Sequence, residues 1–173
     1  MLRDDLLQRL ARLDEDASLL FDDDRRFRLI IVGGGALILL ETITRATNVI
    51  DALDASAEIR SLLGRYDINL NVQAYMNNFP YNYEDRIVPV RLNGSKIDFY
   101  TASLEDIVIA KLFSYRATDR QDIINLSVLA ALDWDTLENL AYSDDEVKQN
   151  ALNERNYRDF LADYEEYVRR YRP

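Results

Sequence analysis

Apolar residues recur along this chain with two different periods. In "DDLLQRLARL", Leu6, Leu7, Leu10 and Leu13 fall at helical spacing, so an amphipathic helix is expected to open the chain. The acidic "DEDASLLFDDDRR" that follows reads as a loop or frayed turn. "FRLIIV", residues 27–32, apolar apart from Arg28 and stopped by Gly33, predicts a buried strand. "ALILLETITRA" then predicts a helix, "NVIDAL" a second strand and "AEIRSLLGRY" another helix. Weaker strand patterns lie in "INLNVQAY", "DRIVPVRL" and "KIDFYTA", the last two joined by an "NG" hairpin signal.

From Ser103 onward the pattern is helical. "SLED" predicts a capping box with Ser103 as N-cap and Asp106 at N3, and "TDRQ" repeats the device at Thr118 and Gln121. The last helix carries Tyr157, Phe160, Leu161, Tyr164, Tyr167, Val168 and Tyr171 at a 3–4 spacing, a core face. The order is a mixed-sheet half, about residues 27–102, followed by a helical half, about 103–173. This predicts an α+β chain forming one domain.

Composition narrows the chemistry. The 173 residues carry a net charge of −10, which disfavours a broad nucleic-acid surface, since duplex binding needs Lys and Arg on phosphates. The chain has neither cysteine nor histidine, which excludes disulfides, thiolate or imidazole metal sites and a Ser-His-Asp triad. Any metal would be held by oxygen ligands alone, favouring Mg²⁺, Mn²⁺ or Ca²⁺. "MLRDDLLQRL" is not a signal peptide, and "LIIVGGGALILL" is too short to span a bilayer. The expected setting is cytoplasmic, with no membrane partner.

Two features carry candidate chemistry. Gly33, Gly34 and Gly35 join a strand to a helix, a geometry that lets backbone approach a phosphate at a helix N-terminus. The plain alternative is a tight turn needing positive φ. Asp51 and Asp98 each stand between apolar neighbours within a strand, and on adjacent strands they could present two carboxylates to one cation. Alternatively, both reach solvent near strand ends. Asp54 should lie on the face opposite Asp51 in a regular strand.

"VGGGALILLETITRATNVID" resembles the opening motif of the nucleotidyltransferase superfamily, the DNA polymerase β-like fold. That motif is a glycine turn followed by Arg-x-Thr-x-Asp-apolar-Asp on the next strand. Gly33–Gly35, Arg45, Thr47 and Asp51 match it, and Asp98 would be the third acid from a later strand. "SLEDIVIAKLFSYRATDRQDI" is similar to a helical segment of AbiEii-type abortive-infection toxins and related bacterial proteins. Its Leu104, Glu105, Asp106, Lys111, Asp119 and Asp122 stand at the matching positions.

The resemblance implies transfer of NMP from an NTP to an acceptor hydroxyl, with Mg²⁺ or Mn²⁺ on Asp51 and Asp98. It also implies nucleotide contacts from the glycines, Arg45, Thr47, Lys111, Asp119 and Asp122, and a catalytic part for Lys111. The first acid of Asp-x-Asp falls on Val49, however, and valine neither ligates nor carries charge. Two rivals follow: a catalytically inactive protein binding a nucleotide or a partner, and a toxin component with a cognate antitoxin.

The residues of the helical half have a second reading as well. Lys111 shares an apolar helical stripe with Leu104, Val108 and Tyr115, so it must snorkel or find an anion. Asp119 and Asp122 share one helix face. They either support Lys111 or Arg120, or complement a helix dipole.

Overall fold

The computed structural model describes the backbone of all 173 residues and every side chain except those of Gln73 and Ala74. The chain divides into two compact units, residues 1–73 with 87–102 and residues 74–86 with 103–173. The division at 102/103 follows the change in residue pattern, while the helical unit also takes 74–86.

In the first unit, α1 (Arg3–Leu20) precedes β1 (Phe27–Val32), α2 (Gly33–Leu39), β2 (Ile50–Ala55) and α3 (Arg60–Leu63). β3 (Ile68–Asn69), β4 (Val88–Pro89) and β5 (Ile97–Thr101) complete a mixed sheet in the order β3-β2-β1-β5-β4. β1 runs antiparallel to β2 and parallel to β5. Leu29, Ile31, Ile50, Ala52, Ile97 and Phe99 form one fully buried sheet face, as do Leu6, Leu10 and Leu13 along α1. Each such aliphatic side chain contributes up to about 1.5–3 kcal/mol by leaving water.

The other sheet face carries Arg28, Asp51, Asp54, Asp98 and Tyr100, all partly exposed, around buried Ile30 and Val32. Asp54 belongs to this face because the β1–β2 register shifts between Ile30 and Ile31, leaving Leu53 as an extra residue. That bulge resets the alternation, so Asp54 and Asp51 share a side, contrary to the regular-strand expectation.

The sheet unit departs from the apolar pattern in five other places. The acidic segment after Leu13 continues α1 to Leu20, because Asp14 and Ala17 extend the buried stripe. α2 stops at Leu39, where Glu41 turns left-handed and Thr42 bonds back to the Leu37 carbonyl through both backbone and hydroxyl. The strand expected over 68–75 ends after Asn69, whose side chain accepts from the Asn71 amide and starts a 3₁₀ turn. β4 is two residues long at the sheet edge, where proline is tolerated, and the Val90 amide adds one further bond to the Phe99 carbonyl. The β4–β5 link spans 90–96 rather than the tight "NG" turn.

The second unit holds α4 (Leu104–Leu112), α5 (Ala117–Ile123), α6 (Leu126–Ala131), α7 (Trp134–Tyr142), α8 (Val147–Asn150) and α9 (Glu154–Tyr171). The Ser103 cap forms as expected: its hydroxyl accepts the Asp106 amide and donates to the Asp106 carboxylate. At α5 the N-cap is Arg116, with no side-chain cap, so the Thr118 box does not form. Phe160, Tyr164 and Tyr167 of α9 are buried, and Phe160 stacks on Phe113. Burial raises the Tyr164 phenol to about 12.

Candidate functional site

The glycine turn and the start of β2 meet in the sheet unit. Gly33 adopts φ +65°, and a Cβ built there would lie 3.2 Å from Asp51 Oδ2. The left-handed backbone favours glycine, and a side chain there would also have to push the Asp51 carboxylate aside. A Cβ on Gly34 would lie 2.8 Å from an Arg45 guanidinium nitrogen, so Arg45 covers the second glycine. Asp51 also accepts from the Asn69 amide at 3.1 Å, across the β2–β3 pair. Thr47 donates its hydroxyl to the Val49 carbonyl, and Val49, partly exposed, lies just before β2. Gly33, Gly34, Arg45, Asp51 and Asn69 thus form one cluster with a guanidinium and a carboxylate beside a bare backbone turn.

Asp98 does not join it. Asp51 stands opposite Val32, at the end of β1, and Asp98 opposite Arg28, near its start. The two acids share a face, as four β1 residues separate their partners, but they lie on strands flanking β1 and not on adjacent ones. Four residues along the strand and two strand spacings across put their backbones roughly 16 Å apart. Oxygens bound to one Mg²⁺ at about 2.1 Å lie within about 4 Å of each other. One ion therefore cannot bridge Asp51 and Asp98, and the shared metal site expected from sequence is not formed.

Asp98 has another partner. Arg26 grips its carboxylate with two bonds, of 2.7 and 3.2 Å, and also donates to the Gly94 and Ser95 carbonyls. Asp54, the other acid on this face, pairs with Arg28 at 2.6 Å. Among the described residues, no group of three acids is placed to hold a metal ion. The donor set does not fit the metal chemistry the family resemblance implies.

Lys111 belongs to the helical unit and is buried there. Its ammonium lies 2.6 Å from Asp119 and 3.0 Å from Asp122, so the stripe lysine finds anions within its own unit. Asp119 is further held by Ser114 and Arg116. Burial pushes the Asp119 carboxyl up, but the bonds from Arg116, Lys111 and Ser114 outweigh it and hold it far below the usual carboxylate range. The three motif residues form a desolvated cluster joining α4 to α5. Arg120 instead bonds the Leu112 and Ser114 carbonyls and Asp163.

Three further polar anchors were not anticipated. Asp14, in α1, accepts the backbone amides of Ser95, Lys96 and Ile97 at 2.7–2.8 Å. Burial raises its carboxyl, yet these bonds lower it overall. Gly94 permits the arrangement, since a Cβ there would come within 2.6 Å of the Ile97 carbonyl. The available signal was position 14 itself, which continues the Leu10–Ala17 stripe. Asn69, the partner of Asp51, carried no periodic signal. Nor did Arg86, which bonds both fully buried Asp106 and Glu146.

Among the described residues, no helix is long and apolar enough to cross a membrane. No curated protein and no solved structure matches the chain. Residues 8–172 match the family described as "Nucleotidyltransferase of unknown function (DUF6036)", almost the whole length. With its glycine turn, Arg45 and Asp51 gathered at the head of β2, this chain belongs to that nucleotidyltransferase family.

Proposed function

We propose that this family member binds the phosphates of a nucleotide at Gly33–Gly35 and Arg45 without carrying out metal-dependent nucleotidyl transfer. The observation that carries the reading is the separation of Asp51 from Asp98 by four rungs of β1, with Val49 at the first acid's position. Mg²⁺ sheds its water reluctantly and relies on convergent carboxylates to hold it beside a triphosphate. Here one acid remains at the turn, while the Arg45 guanidinium, packed over Gly34, offers a phosphate a charge-assisted partner. Arg45 would bind and orient the phosphate. Asp51, which repels it, is held back by Asn69.

The test is equilibrium binding of ATP, GTP, CTP and UTP by calorimetry without metal, alongside transfer assays with α-labelled NTPs and Mn²⁺. Binding of at least one NTP, weakened about ten-fold or more by Arg45→Ala, is expected with no labelled product. The Val49→Asp variant supplies a second arm: it should bind Mn²⁺ more tightly than the wild type, because it restores a pair of acids at i and i+2. Label transfer by the wild type that disappears in Asp51→Asn would show that one acid suffices and would overturn the proposal.

A further inference from the structure

Asp51, Asp54 and Asp98 share one face of the sheet, and two of them meet a cation there. Arg28 pairs with Asp54, and Arg26 grips Asp98. Asp51 is held differently. Among the described residues its hydrogen-bond partner is the neutral Asn69 side chain, whose Nδ2 donates to Asp51 Oδ1 at 3.1 Å. The amide is fixed in that orientation, because its oxygen accepts the Asn71 backbone N–H at 2.9 Å. Both ends of Asn69 are engaged, and the donor end stays on Asp51.

Asn69 therefore fixes the carboxylate without giving it a counter-charge. With Oδ1 held, Oδ2 lies on the side of the glycine turn, 3.2 Å from where a Gly33 side chain would begin. Arg45 packs over Gly34, the next residue. Consecutive Cα atoms are about 3.8 Å apart, so a guanidinium and a carboxylate address neighbouring residues of one turn. A carboxylate only accepts, with room for about four hydrogen bonds, and Asn69 fills one. Beside a phosphate it is repelled, unless the same ligand also brings it a donor. The pentose of a nucleotide carries hydroxyls a few bonds from its 5′-phosphate.

We propose that Asp51 Oδ2, held in place by Asn69, accepts a hydrogen bond from a pentose hydroxyl of the nucleotide bound at the glycine turn and Arg45. The chain would thus select nucleotides with a free 2′- or 3′-hydroxyl. The inference rests on the nucleotide reading and adds the sugar to it. Asn69 is a positioning residue, since it acts on the ligand through Asp51.

Calorimetry without metal compares each of ATP, GTP, CTP and UTP with its 2′,3′-dideoxy analogue. The wild type should bind at least one NTP about ten-fold or more tightly than the analogue, the scale of a hydrogen bond to a charged acceptor. Asp51→Ala should bind the two forms equally, and should bind the analogue more tightly than the wild type does, because the repulsion leaves with the acid. Asn69→Ala should narrow the ratio while leaving the analogue's affinity unchanged, which a general loosening of the fold would not do. Equal affinities in the wild type would overturn this inference and leave the nucleotide reading standing. That comparison needs no variant to fold. Discrimination that survives Asp51→Ala would assign the hydroxyl to another group and overturn the proposal, as would an unchanged ratio in Asn69→Ala. Binding of neither form by the wild type would overturn both readings together, so the two failures are told apart.

Discussion

The acids of the sheet unit and those of the helical unit meet their counter-charges in different ways. Asp119 and Asp122 enclose Lys111 with all three side chains at least nine-tenths buried. Asp54 and Asp98 pair with Arg28 and Arg26 at partly exposed positions, where water screens each interaction. A desolvated cluster tolerates no missing member, because the partners left behind cannot be hydrated. A wet pair loses little when one side is removed. The family motif is therefore divided. Its lysine and following acids pair within the helical unit, whereas Arg45 and Asp51 pack against the glycine turn in the sheet unit.

The largest expected effect comes from breaking the dry cluster. Lys111→Met leaves two carboxylates buried without their ammonium, which should cost about 3–5 kcal/mol in urea unfolding. Adding Asp119→Asn and Asp122→Asn to Lys111→Met should recover a good part of that loss, since no charge then remains to be buried. A single variant as stable as the wild type would show that the acids find water, and the contrast between the units would fail.

An intermediate effect is expected at Asp14, a buried acid satisfied by backbone rather than by a cation. Asp14→Asn keeps one acceptor but turns an amide toward the bonds that Ser95 now makes, at a cost of about 2 kcal/mol. The pH dependence has a defined sign. A folded-state pKa held below the ordinary 3.8 contributes stability that is complete above 3.8 and fades as pH falls through the lower folded value. Asp119 acts in the same direction. Urea midpoints measured from about pH 6 to about pH 3 should therefore fall less steeply in Asp14→Asn than in the wild type. Parallel curves would mean that the carboxylate charge is not what binds these amides.

These anchors also mark where sequence reasoning reached and where it stopped. β1, β5 and the helical half follow directly from period and caps, because apolar spacing reports which face is buried. The bulge at Leu53 leaves only a faint trace, the consecutive apolar pair Ala52 and Leu53 in "IDALDA", and it takes the register with β1 to show that Asp54 returns to the Asp51 face. Asp51 at the glycine turn was legible because the motif is continuous in the chain. The place of Asp98 was not: it depends on how far β5 slides along β1, which no local pattern specifies. Lys111 was legible as a lysine needing an anion, and its partners were named. Whether that group faces a ligand or its own unit depends on packing.

The smallest expected effect tests the wet side of the contrast. Asp98 would be a metal ligand by resemblance, and its loss would then remove nucleotide or metal binding outright. In the structure its carboxylate is held by Arg26, and both side chains are about half exposed. Removing the acid leaves Arg26 with the Gly94 and Ser95 carbonyls and with water, so nothing is stranded. Asp98→Asn should therefore change stability by less than about 1 kcal/mol, the range of exposed pairs, and by less still in high salt. NTP affinity should match that of the wild type, in contrast with Arg45→Ala. If calorimetry instead shows nucleotide binding lost in Asp98→Asn while the unfolding midpoint is unchanged, Asp98 reaches the ligand despite its distance from the glycine turn. The sheet face would then act as one site rather than as a binding end and a self-neutralised end.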